Sequence, residues 1–134
     1  MIKKLLAALT IAACLFSCSG GTKSNPVTDT DVASAFIRSV LDNDFKTAEK
    51  YLLTDEANKQ YFETSRNKYQ AKDKEELKKY AAADIIINNI DAVSDSVHIV
   101  DYSNSYKKDE KKKLKLSWVD GKWLIDLKYT FEGK

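Results

Sequence analysis

Asp120-Gly121 stands between two runs of alternating character, Lys111 to Val119 and Lys122 to Phe131, and it limits the fold more than any other pair of residues in the chain. A two-residue type I′ turn needs positive φ at both central positions, and Asp-Gly supplies it. The turn implies a register. Val119 is expected to face Lys122, so that Trp118 pairs with Trp123, Leu116 with Ile125 and Leu114 with Leu127, all apolar and all on one face. The other face would pair Lys115 with Asp126 and Lys113 with Lys128. A slip of one residue would mix the faces. Each apolar cross-strand pair adds ~0.2–1 kcal/mol.

Two further strands are expected upstream, Asp84 to Ala92 and Ser96 to Tyr106. In the second, Val97, Ile99, Asp101, Ser103 and Ser105 alternate with His98, Val100, Tyr102, Asn104 and Tyr106. The alternation leaves two arrangements open: a sheet with two useful faces, or a bulge that switches faces. Helices come first. Thr28-x-x-Asp31 is a variant capping box, and Asp29 and Asp31 suit a helix N-terminus. Val32, Phe36 and Val40 repeat at four-residue spacing beside Ala33, Ile37 and Leu41, which makes a broad apolar stripe. Asp42-Asn43-Asp44 ends it. A short helix is expected over 45–53, and a third from Asp55 to about Tyr69 with Thr54 as its cap. The charged stretch 71–79 reads as a helical turn or a mobile segment with a solvated face.

The N-terminus carries a different message. Lys3 and Lys4 precede a 12-residue apolar run, Leu5 to Phe16, too short to span a ~30 Å hydrocarbon layer as a helix. Leu15-Phe16-Ser17-Cys18 follows and resembles the lipobox of a bacterial lipoprotein. The resemblance implies a signal peptide over 1–17, removed on export, and a lipid on Cys18. It also implies a membrane anchor outside the cytoplasm. Ser19 after the cysteine resembles the outer-membrane default, so the periplasmic face of that membrane is the expected location. Residues 18–27 hold Gly, Ser, Thr, Lys, Asn and the only Pro, and read as a flexible tether. The single folded domain is then 28–134.

Loss of the signal changes the balance of charge. The chain has 22 basic and 20 acidic residues, and Lys3 and Lys4 leave with the signal, so the remainder carries 20 of each. A neutral, arginine-poor domain makes no case for nucleic acid. Cys14 leaves and Cys18 is modified, so no disulfide is expected, even in an oxidising compartment.

Helices followed by antiparallel strands is an α+β order. The carrying residues are Thr28 to Val32, Ala35-Phe36, Asn43 to Ala48, and Leu116 to Asp126. Together they resemble the nuclear transport factor 2-like fold, in which a curved sheet of about four strands wraps N-terminal helices into a cone. The likeness is nearest to small envelope lipoproteins and lumazine-binding-like relatives. These are packing and turn motifs, so the resemblance implies a fold and no catalytic residue.

The chain offers little for catalysis. Its four glycines, Gly20, Gly21, Gly121 and Gly133, form no phosphate loop. One histidine makes no multi-histidine metal site. No metal or cofactor is expected. His98 is a candidate general base with Asp101 or Asp126 as its orienter, although Asp126 is better explained by Lys115 across the hairpin. Asp101, if inward, would resemble a carboxylate base in an apolar cone. Lys107, Lys108, Lys111, Lys112, Lys113 and Lys115 read either as attraction to anionic lipid or as an aggregation-blocking hairpin. Phe36, Val40, Tyr61, Val97, Ile99, Leu116, Trp118, Trp123 and Ile125 are the expected pocket. The expectation is a non-enzymatic, lipid-anchored protein that binds a small apolar ligand, a peptide or an envelope protein. The rival is a small cavity enzyme, isomerase- or dehydratase-like, that uses His98 or Asp101.

Overall fold

Thr28 opens the first helix as its neighbours dictate. In the computed structural model, which describes residues 28–133, its Oγ1 accepts from the Asp31 N–H at 3.1 Å. Asp31 Oδ2 accepts from the Thr28 N–H at 3.3 Å. Two amides that the helix leaves without backbone partners are thereby satisfied. The expected signal peptide, Cys18 and the tether lie outside the described residues. Helix α1, Asp29–Leu41, buries Val32, Ala33, Phe36, Ile37 and Leu41, the stripe that its spacing predicts.

The helix expected over 45–53 is shorter. Helix α2 is Phe45–Ala48, followed by a 3-10 turn, Glu49–Tyr51. Leu52 then turns extended and bridges Ile125, and the Leu53 N–H donates to the Ile125 carbonyl at 2.9 Å. The chain leaves the helix to cover a sheet edge. Helix α3, Glu56–Gln70, is capped by Asp55 rather than Thr54, because the Asp55 carboxylate accepts from the Asn58 N–H at 2.9 Å. The charged stretch is no loose turn. Asp73 caps helix α4, Lys74–Ala81, through the Glu76 N–H at 2.8 Å, and Tyr80 anchors it in the core.

The sheet has four antiparallel strands in the order β1-β2-β3-β4: β1 Ile85–Ser94, β2 Val97–Asn104, β3 Lys112–Val119 and β4 Lys122–Asp126. Asp120 and Gly121 have φ of 50° and 79°, as a type I′ turn requires. The pairs Val119–Lys122, Trp118–Trp123, Leu116–Ile125 and Lys115–Asp126 all form. The pairs beyond them do not. β4 stops at Asp126, and Leu127–Glu132 is helix α5. The Leu127 N–H is taken by Asn58 Oδ1 at 2.6 Å, and Thr130 Oγ1 donates to the Lys113 carbonyl at 2.8 Å. Leu114 and Leu127 still meet in the core, but as side chains of a strand and a helix.

Strand β2 pairs with β3 over six consecutive residues, so it does not switch faces. The irregularities lie in β1, between Ile87 and Asn89 and between Ala92 and Ser94, where they bend the sheet over the helices. Val100, Leu114, Leu116 and Ile125 face the helices and are almost wholly buried. Val97, Ile99 and Asp101 therefore belong to the opposite, outer face. An aromatic ladder closes the other end of the core: Phe62, Phe45, Tyr69, Tyr80 and Tyr106 follow one another at centroid spacings of 5.7, 5.7, 5.6 and 5.0 Å. Arg38 ties α1 to the end of α4 by donating to the Ala83 carbonyl at 2.8 Å and the Ala81 carbonyl at 3.1 Å.

Asn58 has no exposed surface and joins α3 to the β4–α5 corner. Asn58→Ala should destabilise the domain by ~2–4 kcal/mol, because more than one buried polar group loses its partner. Lys122→Ala, at an exposed position beside the hairpin turn, should stay within ~0.5 kcal/mol. Equal denaturant midpoint shifts for the two would refute this assignment of weight.

Candidate functional site

The two faces of the sheet divide the expected pocket. On the inner face, Phe36, Leu116 and Ile125 are buried against one another, with Val40 and Trp123 packed partly buried at the margin. These side chains fill the space between helices and sheet. Trp118 shares this face beyond the end of the core and is 44% exposed. Tyr61 packs at the margin of the core, stacking on Phe131 of α5 at 4.7 Å and donating to Glu132 Oε1 at 2.6 Å. Val97 and Ile99 lie on the outer face. The nine residues thus enclose no common cavity, because the period-two alternation of β2 sends its apolar residues to both sides.

His98 sits on the inner face, opposite Leu116. Its Nδ1 lies 2.7 Å from Asp29 Oδ2, and its ring packs on Trp123 at 4.4 Å. Neither expected orienter serves it. Asp101 is on the outer face, opposite Lys113 and 3.5 Å from the Asn88 amide. Asp126 is engaged by Asn58, by the Lys128 N–H and by Lys115 at 3.7 Å. Partial burial works against ionisation of Asp29, but the bonds from His98 and from the Thr30 N–H outweigh it and hold its carboxyl below the ordinary range. Asp29–His98 is a base–orienter geometry, with both side chains about one-fifth exposed. Among the described residues, no group of three or more His, Cys, Asp and Glu gathers to hold a metal.

The outer face carries an open groove of about 330 Å³. It is lined by Val93, Val97, Ile99 and Tyr129 and by the polar Asn89, Asp91, Asp101, Lys113 and Lys115. Acidic and basic groups alternate across the strands, with Asp101 directly opposite Lys113. Beside the groove runs β1, an edge strand with no further strand on its far side among the described residues. A second hollow of about 350 Å³ lies at the α2–α3 connection, between Leu52, Leu53, Phe62 and the charged Glu49, Asp55, Glu56 and Lys59. The lysine-rich hairpin does not form one patch. Lys113 and Lys115 line the outer groove, Lys112 lies opposite Tyr102, and Lys107 stands over the Tyr106 ring at 5.1 Å.

Sequence reasoning missed the groove and the Asp29 partner for different reasons. The outward set Val97, Ile99 and Asp101 was visible as an alternation, but its side was not. The Asp29–His98 contact joins residues 69 apart on a helix and a strand, and no local pattern announces it. No family model matches the chain, and neither a curated protein nor a solved structure matches it.

Lys128 Nζ lies 2.8 Å from Asp55 Oδ2, and this bond, helped by the Asn58 N–H, holds the Asp55 carboxyl at about 2 against an ordinary 3.8. A carboxyl with a lower pKa in the folded state stabilises the fold above its unfolded pKa, and that contribution is lost as pH falls through the folded value. The window for Asp55 therefore runs from 3.8 down to about 2, and Asp29 acts in the same direction. Lys128→Ala should raise the Asp55 pKa toward 3.8 and move acid unfolding to higher pH. Carboxyl NMR titration reads the first effect and circular dichroism the second; an unmoved Asp55 titration would refute the role of Lys128.

Proposed function

We propose that this chain is a non-enzymatic, lipid-anchored cell-envelope protein whose domain belongs with the nuclear transport factor 2-like cones. In this proposal the lipid sits on Cys18 and the domain faces the periplasm from the outer membrane. The domain binds an extended peptide or a loop of an envelope protein along the outer face of the sheet. One observation carries this choice over a small apolar ligand. The inner face is filled, whereas the outer groove is open and is lined by apolar Val97 and Ile99 together with carboxylates and ammonium groups. An extended chain matches such a surface through alternate side chains, and it can add main-chain bonds at the free edge of β1. A small apolar molecule would displace water from Asp91, Asp101, Lys113 and Lys115 without replacing its hydrogen bonds.

A second reading, the cavity enzyme, is favoured by the 2.7 Å contact between His98 and Asp29. Neither Asp101 nor Asp126 reaches His98, and its ring lies against Trp123. His98→Ala separates the two readings. The binding proposal expects cellular function to survive in a folded variant. Loss of function with an unchanged melting temperature would favour the enzyme.

The anchor is tested directly. Cells fed a labelled fatty acid should label the wild-type protein, and Cys18→Ser should abolish labelling and release the protein or leave a larger precursor. An unlabelled wild-type protein would sink the anchor.

The groove is tested by charge reversal. Asp101→Lys and Lys113→Glu should each lower recovery of a cross-linked envelope partner roughly tenfold, since reversed charges at a docking surface oppose the partner's own. Melting temperatures should stay near wild type. Undiminished recovery in both variants, or a small molecule as the only companion of the intact protein in native mass spectra, would overturn the peptide reading.

A further inference from the structure

The domain has two ends, and the antiparallel order assigns them. The turns β1–β2, at Asp95-Ser96, and β3–β4, at Asp120-Gly121, fall at one end of the sheet, and the lysine-rich β2–β3 connection falls at the other. The first turn of α1 lies at the former end. Three contacts fix it there: Asp29 to His98 at 2.7 Å, His98 to Trp123 at 4.4 Å, and Trp123 to Trp118 at 5.3 Å. The Trp118 N–H also bonds the Ser96 carbonyl at 2.8 Å, which draws the two turns together. This end carries two of the exposed large apolar side chains, Trp118 at 44% and Val93 at 61%. The chain enters the domain beside its exposed indole.

We propose that this end is a membrane seat, with Trp118 resting in the headgroup region of a phospholipid layer. The inference rests on the lipid anchor at Cys18. An indole has an apolar body and a polar N–H, and it prefers the interface between hydrocarbon and water. The reach of the tether agrees. Nine residues lie between Cys18 and Thr28, and the ten residue steps from one to the other reach at most ~35 Å. The far end of β2 lies another ~23 Å away, at ~3.3 Å per residue. The anchor thus keeps the entry end within ~35 Å of the lipid, and with Trp118 seated there the lysine-rich end is the farther of the two.

Charge identifies the kind of surface. The entry end carries Asp29, held by His98, and Asp31, Asp95 and Asp120 against Lys122, so it is not attracted by anionic headgroups. Zwitterionic phospholipid, such as phosphatidylethanolamine, is the chemistry that fits. The basic residues of the β2–β3 connection would engage an anionic surface only if the domain turned over.

The test uses the intact lipidated protein reconstituted into phosphatidylethanolamine–phosphatidylcholine vesicles. Quenching of tryptophan emission by lipids brominated near the headgroup is the readout. The wild-type emission should fall roughly twofold, as expected for an indole at the interface. Trp118→Phe should remove most of that quenching, whereas Trp123→Phe, which leaves Trp118 as the sole indole, should retain it. Added anionic lipid should not increase it. Vesicle-bound protein whose Trp118 is not quenched would overturn the seat while leaving the anchor standing. So would quenching that appears only with anionic lipid and vanishes in a Lys111→Glu, Lys112→Glu variant, because that result would put the other end on the membrane. A wild-type protein that takes up no fatty acid and does not sediment with membranes would instead refute the anchor, and the seat with it.

Discussion

The corner between β4 and α5 depends on one buried amide. Asn58 accepts from the Leu127 N–H at 2.6 Å and donates from Nδ2 to Asp55 at 2.8 Å and Asp126 at 3.3 Å. A buried amide with partners on both its oxygen and its nitrogen is specific in a way that apolar contact is not, because any other placement leaves polar atoms stranded. The amide decides three things together. It ends strand β4, it starts helix α5, and it fixes α3 against the sheet edge. Asp55 serves twice in this arrangement, since the carboxylate that caps α3 also receives Lys128. Leu52 then reaches Ile125 from the same connection, so the edge of β4 is covered by chain that the knot has already placed.

With that corner fixed, the remaining space is filled by side chains. Val100, Leu114, Leu116 and Ile125 meet Phe36 and Phe45 on one side of the sheet, and the aromatic ladder closes the far end. Burial pushes the Tyr69 phenol up to about 12, while its hydroxyl donates to the Leu41 carbonyl at 2.9 Å. Tyr69 therefore remains neutral at any physiological pH and ties α3 to the end of α1 without charge. A filled core of this kind gives stability but leaves no internal chamber among these residues, which turns attention to the outer face and to the ends.

What could be read from the sequence was local. The Asp120-Gly121 turn implies its own register, and four of the expected cross-strand pairs form because each lies within a few residues of that turn. Thr28 and Asp31 are three apart, and their capping box forms for the same reason. Errors begin where a distant residue competes. The pattern Lys122 to Phe131 continues its alternation past Asp126, and only Asn58, far earlier in the chain, explains why the strand stops. Likewise Asp29 reads as a helix-dipole residue, and its bond to His98 requires the folded arrangement of α1 on β2. The candidate site was legible as residue types and illegible as a place. Val97 and Ile99 look the same as Leu116 and Ile125 until the side of the sheet is known.

The two ends of the sheet explain why the lysines of 107–115 do not act as one group. A hairpin sends alternate residues to opposite faces, so Lys112 faces Tyr102 while Lys113 and Lys115 enter the outer groove opposite Asp101 and beside Asp126. Their charges are committed locally, to a ring, to carboxylates and to solvent. Long-range attraction to a polyanion needs unpaired charges of one sign that face the same way. This domain instead has an axis, with indoles where the chain enters and ammonium groups at the far end.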